Sequence, residues 1–192
     1  LDGITLPKCS GLADVRRLDD EITRLEKQRG LPVGKIKVAI LIETALGVMK
    51  VDEAAGGSNR LVAIIFGAVD YTRDMRVTRT DKADEQFYAR ARIGAAARAY
   101  GLVAEDAPFP NYADVEAFEA NCRSGAQLGF EGRQIINPRQ IAPAHKVYSP
   151  DPARVEWAQK ITKVFEEEGL AKGSASVGFE GSMIDIPSIV MG

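Results

Sequence analysis

Two acids stand where apolar runs stop: Val38-Ala39-Ile40-Leu41-Ile42 leads into Glu43, and Leu61-Val62-Ala63-Ile64-Ile65-Phe66-Gly67-Ala68-Val69 leads into Asp70. A β-branched run bounded by turn residues reads as a strand covered on both faces, the state of parallel strands packed between helices or closed in a barrel. Parallel neighbours end on one side, so Glu43 and Asp70 are expected on a common rim, where α/β folds place ligands and chemistry. Two carboxylates held close repel unless they share a proton or a cation, and a hard divalent metal is the natural third party. A plainer reading stays open at this level: an acid past a strand caps the next helix or pairs with a surface arginine.

Other chemistry-bearing residues are few. Cys9 and Cys122 are too few and too far apart for a disulfide framework or a zinc site, and read as small buried hydrophobes. His145 is the only histidine, in the polar stretch Ala142-Pro143-Ala144-His145-Lys146, where it is expected to be exposed. Histidine-rich zinc chemistry is thereby excluded. No G-x-G-x-x-G or G-x-x-x-x-G-K phosphate-binding string occurs.

The elements that must position the acids alternate in type. Gly3 to Leu6 reads as a strand stopped by Pro7, and a helix follows from about Gly11, with Leu12, Val15, Leu18, Ile22 and Leu25 on one face and Gly30-Leu31-Pro32 closing it. Next come the strand ending at Glu43, a helix around Gly47 to Ala55, and the strand ending near Gly67. Asp81 to Tyr100 reads as a helix with Phe87, Ala91, Ala95 and the alanine-rich Gly94-Ala95-Ala96-Ala97 stretch on a face, followed by a strand, Leu102 to Ala104. A helix from Asp114, an N-cap, to Leu128, a strand within Gly129 to Pro138, and a helix Pro152 to Glu168 complete the pattern. Strands alternating with helices specify a parallel sheet with right-handed crossovers. The stretch 169–192 differs in kind: Gly- and Ser-rich, then apolar around Asp185, as in a linker or a lid.

Of the 192 residues 45% are hydrophobic, enough for one sizeable core, and 25 basic against 27 acidic residues leave a net charge of −2. Neither sign gathers into a block, so nucleic acid is not an expected partner. No apolar stretch approaches the roughly 20 residues that cross a bilayer, and no charged-then-apolar leader opens the chain; no membrane partner and a cytoplasmic location are expected. The chain opens at Leu1, in what reads as a strand entered midway, and is expected to be an internal piece of a longer protein.

Six segments in order carry a family resemblance: Leu6-Pro7-Lys8 after a strand, Ile42-Glu43-Thr44-Ala45 with Gly47, Gly67-Ala68-Val69-Asp70, the alanine-rich helix ending Ala99-Tyr100-Gly101, Asn137-Pro138-Arg139-Gln140-Ile141, and Phe179 to Asp185. Together they resemble the citrate lyase β-subunit family, which includes malyl-CoA and citramalyl-CoA lyases within the HpcH/HpaI aldolase group. The resemblance implies an α/β fold, a (β/α)8 TIM barrel of which this chain holds about strands four to eight over residues 1–168, with a C-terminal lid segment at 169–192. It implies that Glu43 and Asp70 ligate Mg²⁺, with Mn²⁺ as a substitute. Asp185 is then the catalytic acid/base, brought by the lid to a neighbouring subunit's site; a homo-oligomer, a trimer, is expected. Between Ile184 and Ile186, Asp185 is expected to have a raised pKa. Ile136 and Asn137 match a loop near the bound thioester.

The implied reaction is cleavage of a 3-hydroxyacyl-CoA of malyl-CoA or citramalyl-CoA type into a 2-oxo acid and an acyl-CoA. The family's carboxylate-binding arginine falls in the first three strands, outside this stretch. Two other readings share these residues: a metal-dependent aldolase acting on free 2-oxo acids, and a non-catalytic barrel remnant serving as an assembly subunit. Three positions depart from the pattern. Val69 stands where relatives commonly carry glutamate, Asn137 where many carry histidine, and Arg76 where glycine is frequent, which predicts a different backbone path there.

Overall fold

The structure, a computed structural model, describes residues 1–169, 176–179 and 182–185; the side chains of Glu168, Gly169, Val177, Ser182, Ile184 and Asp185 lie outside the description. The chain divides into two compact units at Tyr148/Ser149.

In the first unit, β1 (Gly3–Leu6), β2 (Lys37–Ile42), β3 (Leu61–Phe66), β4 (Val103–Asp106) and β5 (Gly132–Arg133) form one sheet in the order β1-β2-β3-β4-β5. Every pairing is parallel. Sheet order therefore follows chain order, without the reversal at which a doubly wound sheet switches faces, so right-handed crossovers all land on one side. The crossovers are α1 (Leu12–Gln28), α2 (Ala45–Met49) with α3 (Val51–Ala55), α4 (Ala68–Asp74) with α5 (Phe87–Ala99), and α6 (Val115–Gln127), and α7 (Ile141–Tyr148) follows β5. Ile40, Ile42, Ile64 and Phe66 are fully buried and pack with Val15, Val51 and Ile93. Each such side chain contributes about 1.5–3 kcal/mol on leaving water.

The helix expected from Gly11 is present, with Val15 and Ile22 buried. Several boundaries differ. The helix expected over Gly47 to Ala55 is two short helices that meet at Lys50; Thr44 caps the first, its hydroxyl accepting from the Gly47 N–H at 3.0 Å. Asp70 does not end a strand: β3 stops at Phe66, and Asp70 sits in the first turn of α4. The apolar run continues through Gly67, Ala68 and Val69, and periodicity cannot separate a buried strand from the first helical turn. The helix expected from Asp81 begins at Phe87, after a single tight turn at Asp84–Gln86 entered through Ala83 at φ +60°. Its buried face holds Ala89, Arg90, Ile93, Gly94 and Ala97, whereas Phe87 is 60% exposed and Ala95 is exposed. Gly94 explains the rotation: a Cβ there would lie 2.0 Å from the Leu128 carbonyl oxygen, so glycine alone lets the end of α6 come this close. His145 is exposed as expected but lies in α7, a helix hidden in the sequence by Pro143 at its third residue, where a missing N–H costs nothing.

At the amino end of the sheet, Arg60 is buried just before β3. Its Nη1 and Nη2 donate to Glu26 of α1 at 3.0 and 2.7 Å, and its Nε donates to Asp19 at 2.5 Å. Glu26 also accepts from the Gly34 and Ile36 N–H groups, both at 2.9 Å. The Arg60 hydrogen bonds, and after them these two backbone donors, outweigh burial and hold the Glu26 carboxyl down at about 2.

The second unit contains α8 (Pro152–Val164), capped by Asp151 through the Ala153 N–H at 2.8 Å, a single π turn over Phe165–Gly169, and the antiparallel pair β6 (Ser176–Phe179) and β7 (Ser182–Asp185). Among its described residues, Ile161 and Phe165 are buried, with Phe179 against them. Cys9 and Cys122 are buried and free. Among the described residues no helix is long and apolar enough to cross a membrane.

Candidate metal centre

Past β1, Pro7 and Lys8 carry the chain over the carboxyl-end rim of the sheet. Lys8 adopts φ +51°, the left-handed region that a non-glycine residue rarely enters. Its N–H donates to Glu43 Oε1 at 3.0 Å. Glu43 follows β2 directly and is only 6% exposed. Among the described residues, its Oε2 has no hydrogen-bond donor and neither oxygen has a cation within ion-pair distance. The open Oε2 leaves one carboxylate oxygen to a hard divalent cation, whose usual protein ligands are such oxygens. Gly67 makes room for it: a Cβ there would lie 2.4 Å from Glu43 Cβ and 2.9 Å from Oε2. The Gly67 N–H donates to the Ile42 carbonyl at 2.9 Å, extending the β2–β3 pairing up to the acid.

Asp70 stands on the next strand's loop, in the first turn of α4, where the helix dipole favours a negative charge. Its side chain is 33% exposed, and Oδ1 pairs with Arg73 one turn on and with Lys8 Nζ at 3.9 Å. Oδ2 has no partner among the described residues. The plainer sequence reading thus holds in part, since Asp70 does pair with a surface arginine, while Glu43 does not. Asp74 Oδ2 accepts from the Ala45 N–H at 2.8 Å and ties the end of α4 to the start of α2, bracing the two acid-bearing loops together.

Lys8 touches both acids and was not singled out by type or spacing as a site residue. Its position just past a strand and a proline was the available signal, but a lone lysine there carries no pattern. Among the described residues no three His, Cys, Asp or Glu side chains converge as a complete cation cage. Two carboxylate oxygens with the other positions left open suit Mg²⁺, which keeps waters and uses one or two carboxylates together with substrate oxygens. The residues present fit that ion.

Of the remaining expected residues, two lie in the first unit and one in the second. Ile136 and Asn137 follow β5, two strands beyond β3 on the same rim. Ile136 is 53% exposed, and Asn137 Oδ1 accepts from the Arg139 N–H at 3.0 Å, capping the tight turn Pro138–Gln140. Asp185 ends β7 in the second unit, and its side chain lies outside the described residues. A third rim acid, Asp106 at the end of β4, is fully buried and neutralised: Arg90 of α5 pairs with Oδ2, and Arg133 of β5 stands 3.8 Å from the same oxygen. Arg133 also donates to the Ala107 carbonyl at 2.6 Å and to Asn121 Oδ1 at 3.1 Å. This acid braces the rim and offers nothing to a ligand.

Comparison with known proteins follows the same residues. The chain is 40% identical over 190 residues to the citrate lyase subunit beta of Leuconostoc mesenteroides subsp. cremoris, covering 99% of this chain and 63% of that protein. It is 32% identical to the L-malyl-CoA/beta-methylmalyl-CoA lyase of Cereibacter sphaeroides, covering 98% of this chain and 64% of that protein. The chain thus spans just under two thirds of the length of these curated relatives. Among solved structures, the protein CitE of Mycobacterium tuberculosis, in complex with magnesium, acetoacetate and coenzyme A, superposes with a TM-score of 0.76 at 28% identity, over 98% of this chain and 65% of that one. Residues 1–138 match the family described as HpcH/HpaI aldolase/citrate lyase, and the chain belongs to that family.

Proposed function

We propose that the protein is a Mg²⁺-dependent carbon–carbon lyase that cleaves a 3-hydroxyacyl-CoA, of malyl-CoA or citramalyl-CoA type, into a 2-oxo acid and an acyl-CoA. The observation that carries the reading is Glu43, a buried acid with an open oxygen and no counter-charge, one strand away from Asp70. The lyase names of the relatives and the magnesium and coenzyme A held by the structural neighbour support it. The five strands in chain order support the further proposal that residues 1–168 form about strands four to eight of a (β/α)8 barrel, with 169–192 as its lid. In this reading the molecule is a homo-oligomer, a trimer, whose lids serve neighbouring subunits.

Glu43 and Asp70 would hold the cation through their open oxygens, with Mn²⁺ able to replace Mg²⁺. Bound there, the ion supplies Lewis-acid polarisation of the substrate oxygen that becomes the keto group. Arg73, paired with Oδ1, orients the Asp70 carboxylate, and Lys8 Nζ stands near the same oxygen. Ile136 and Asn137, at the rim past β5, lie along the acyl-CoA. As the substrate hydroxyl gives up its proton to solvent and its oxygen becomes the keto group, the carbon–carbon bond breaks, its electron pair moves onto the thioester fragment, and Asp185 as a carboxylic acid delivers a proton to that carbon, to be reprotonated from solvent.

The test is release of 2-oxo acid from malyl-CoA and citramalyl-CoA by the full-length protein, trapped as its hydrazone. Chelation is expected to stop the release, Mg²⁺ or Mn²⁺ to restore it, and Glu43→Gln to lower kcat/KM by about 10²–10³-fold, the scale of losing one electrostatic stabiliser. No 2-oxo acid from either thioester, or an unchanged rate in Glu43→Gln, overturns the reading.

A further inference from the structure

Each acid of the pair has one oxygen already taken. The Lys8 N–H occupies Glu43 Oε1 at 3.0 Å, while the Arg73 guanidinium occupies Asp70 Oδ1 and Lys8 Nζ stands 3.9 Å from that same oxygen. Oε2 and Oδ2 are the oxygens left without partners among the described residues. The arrangement bears on which cation fits. Ca²⁺ collects about 6–8 oxygens and readily takes a carboxylate through both of its oxygens as well as through one, whereas the smaller Mg²⁺ demands an octahedron and keeps several waters, using one or two carboxylates.

We propose that Lys8 and Arg73 are cation-selectivity residues: by holding one oxygen of each acid, they confine both carboxylates to one-oxygen ligation and so favour Mg²⁺ over Ca²⁺. The inference rests on the metal reading given above. The backbone of Lys8 is turned to this end, since its φ of +51° is the conformation in which the N–H meets Glu43. Because that contact is made by the main chain, replacing the side chain leaves it in place and frees Asp70 Oδ1 alone. Both side chains are exposed, 62% for Lys8 and 73% for Arg73, so their replacement opens no core.

The experiment compares the full-length protein with its Lys8→Met/Arg73→Met variant, titrating Mn²⁺ by the loss of the free-ion paramagnetic resonance signal and displacing it with Mg²⁺ or Ca²⁺. Loss of two positive charges strengthens binding of either cation by the same Coulomb factor, so the ratio of the two affinities isolates the ligation geometry. The Ca²⁺-over-Mg²⁺ affinity ratio is expected to rise about threefold to tenfold in the variant. A ratio that stays or falls, while Glu43→Gln weakens Mn²⁺ binding, overturns the selectivity role and leaves the metal site standing. Mn²⁺ binding that Glu43→Gln does not change overturns the metal reading, and this inference with it.

Discussion

Gly67 owes its place to what it lacks. A methyl group there would stand 2.4 Å from Glu43 Cβ, closer than real contacts allow, so Gly67→Ala must push the acid off its buried seat. The variant is expected to lose about 1–3 kcal/mol of stability, as overpacked cores do, and to bind Mn²⁺ at least about tenfold more weakly; thermal melts and a metal titration read the two effects separately. Arg76 shows the opposite case. It takes φ +57°, a left-handed turn formed despite the side chain, at a position where the family resemblance leads one to expect glycine. The left-handed region costs an L-residue about 1–2 kcal/mol, of which glycine's extra chain freedom gives back about 0.5–1, so Arg76→Gly is expected to stabilise by about 0.5–1 kcal/mol in calorimetry. Glu43 and Asp70 were legible in the sequence because each closes an apolar run. Lys8 was not, because its hold on Glu43 is made by the main chain in an unusual conformation, which no side-chain pattern records.

Among the elements, α5, β4 and β5 are joined by the Arg90–Asp106–Arg133 contacts under the rim. Asp106→Asn leaves two guanidinium groups buried against a neutral amide, and such half-broken pairs cost about 3–5 kcal/mol; urea unfolding should show that loss. The Asp70 variant Asp70→Asn, on a partly exposed loop, is expected to change stability little and metal affinity much. Arg90 escaped the sequence reading for a physical reason: a charge in an alanine-rich helix looks like its solvent face, and its partner lies sixteen residues on, across a turn and a strand. Of the face expected on that helix, Gly94, Ala96 and Ala97 are buried, while the packing of Gly94 on Leu128 leaves Phe87 and Ala95 outward. By contrast, α1 was plain, since its apolar residues recur at the helical period and a glycine with φ +65° follows it.

At the scale of the whole molecule, the alternation of strands and helices made the α/β class and the parallel sheet readable, because crossover geometry leaves few other arrangements. Stability against acid belongs to this scale too. Glu26 has an ordinary carboxylate value of 4.5 and is held at about 2 in the fold, so the folded chain binds fewer protons than the unfolded one at intermediate pH. Its contribution is complete above pH 4.5 and is lost as the pH falls towards 2. Denaturation midpoints are expected to drop across that window, and Arg60→Met to lower the midpoint near neutrality while flattening the drop. The Arg60 cluster and the acid pair occupy opposite ends of β3, a strand of six residues and so roughly 20 Å long. Effects at sites so far apart, with no shared partner, add nearly independently. The rim can consequently drift in sequence toward other cations or other acyl groups while the far end keeps the sheet folded, so a lineage built on this scaffold is free to change its chemistry without first changing its foundation.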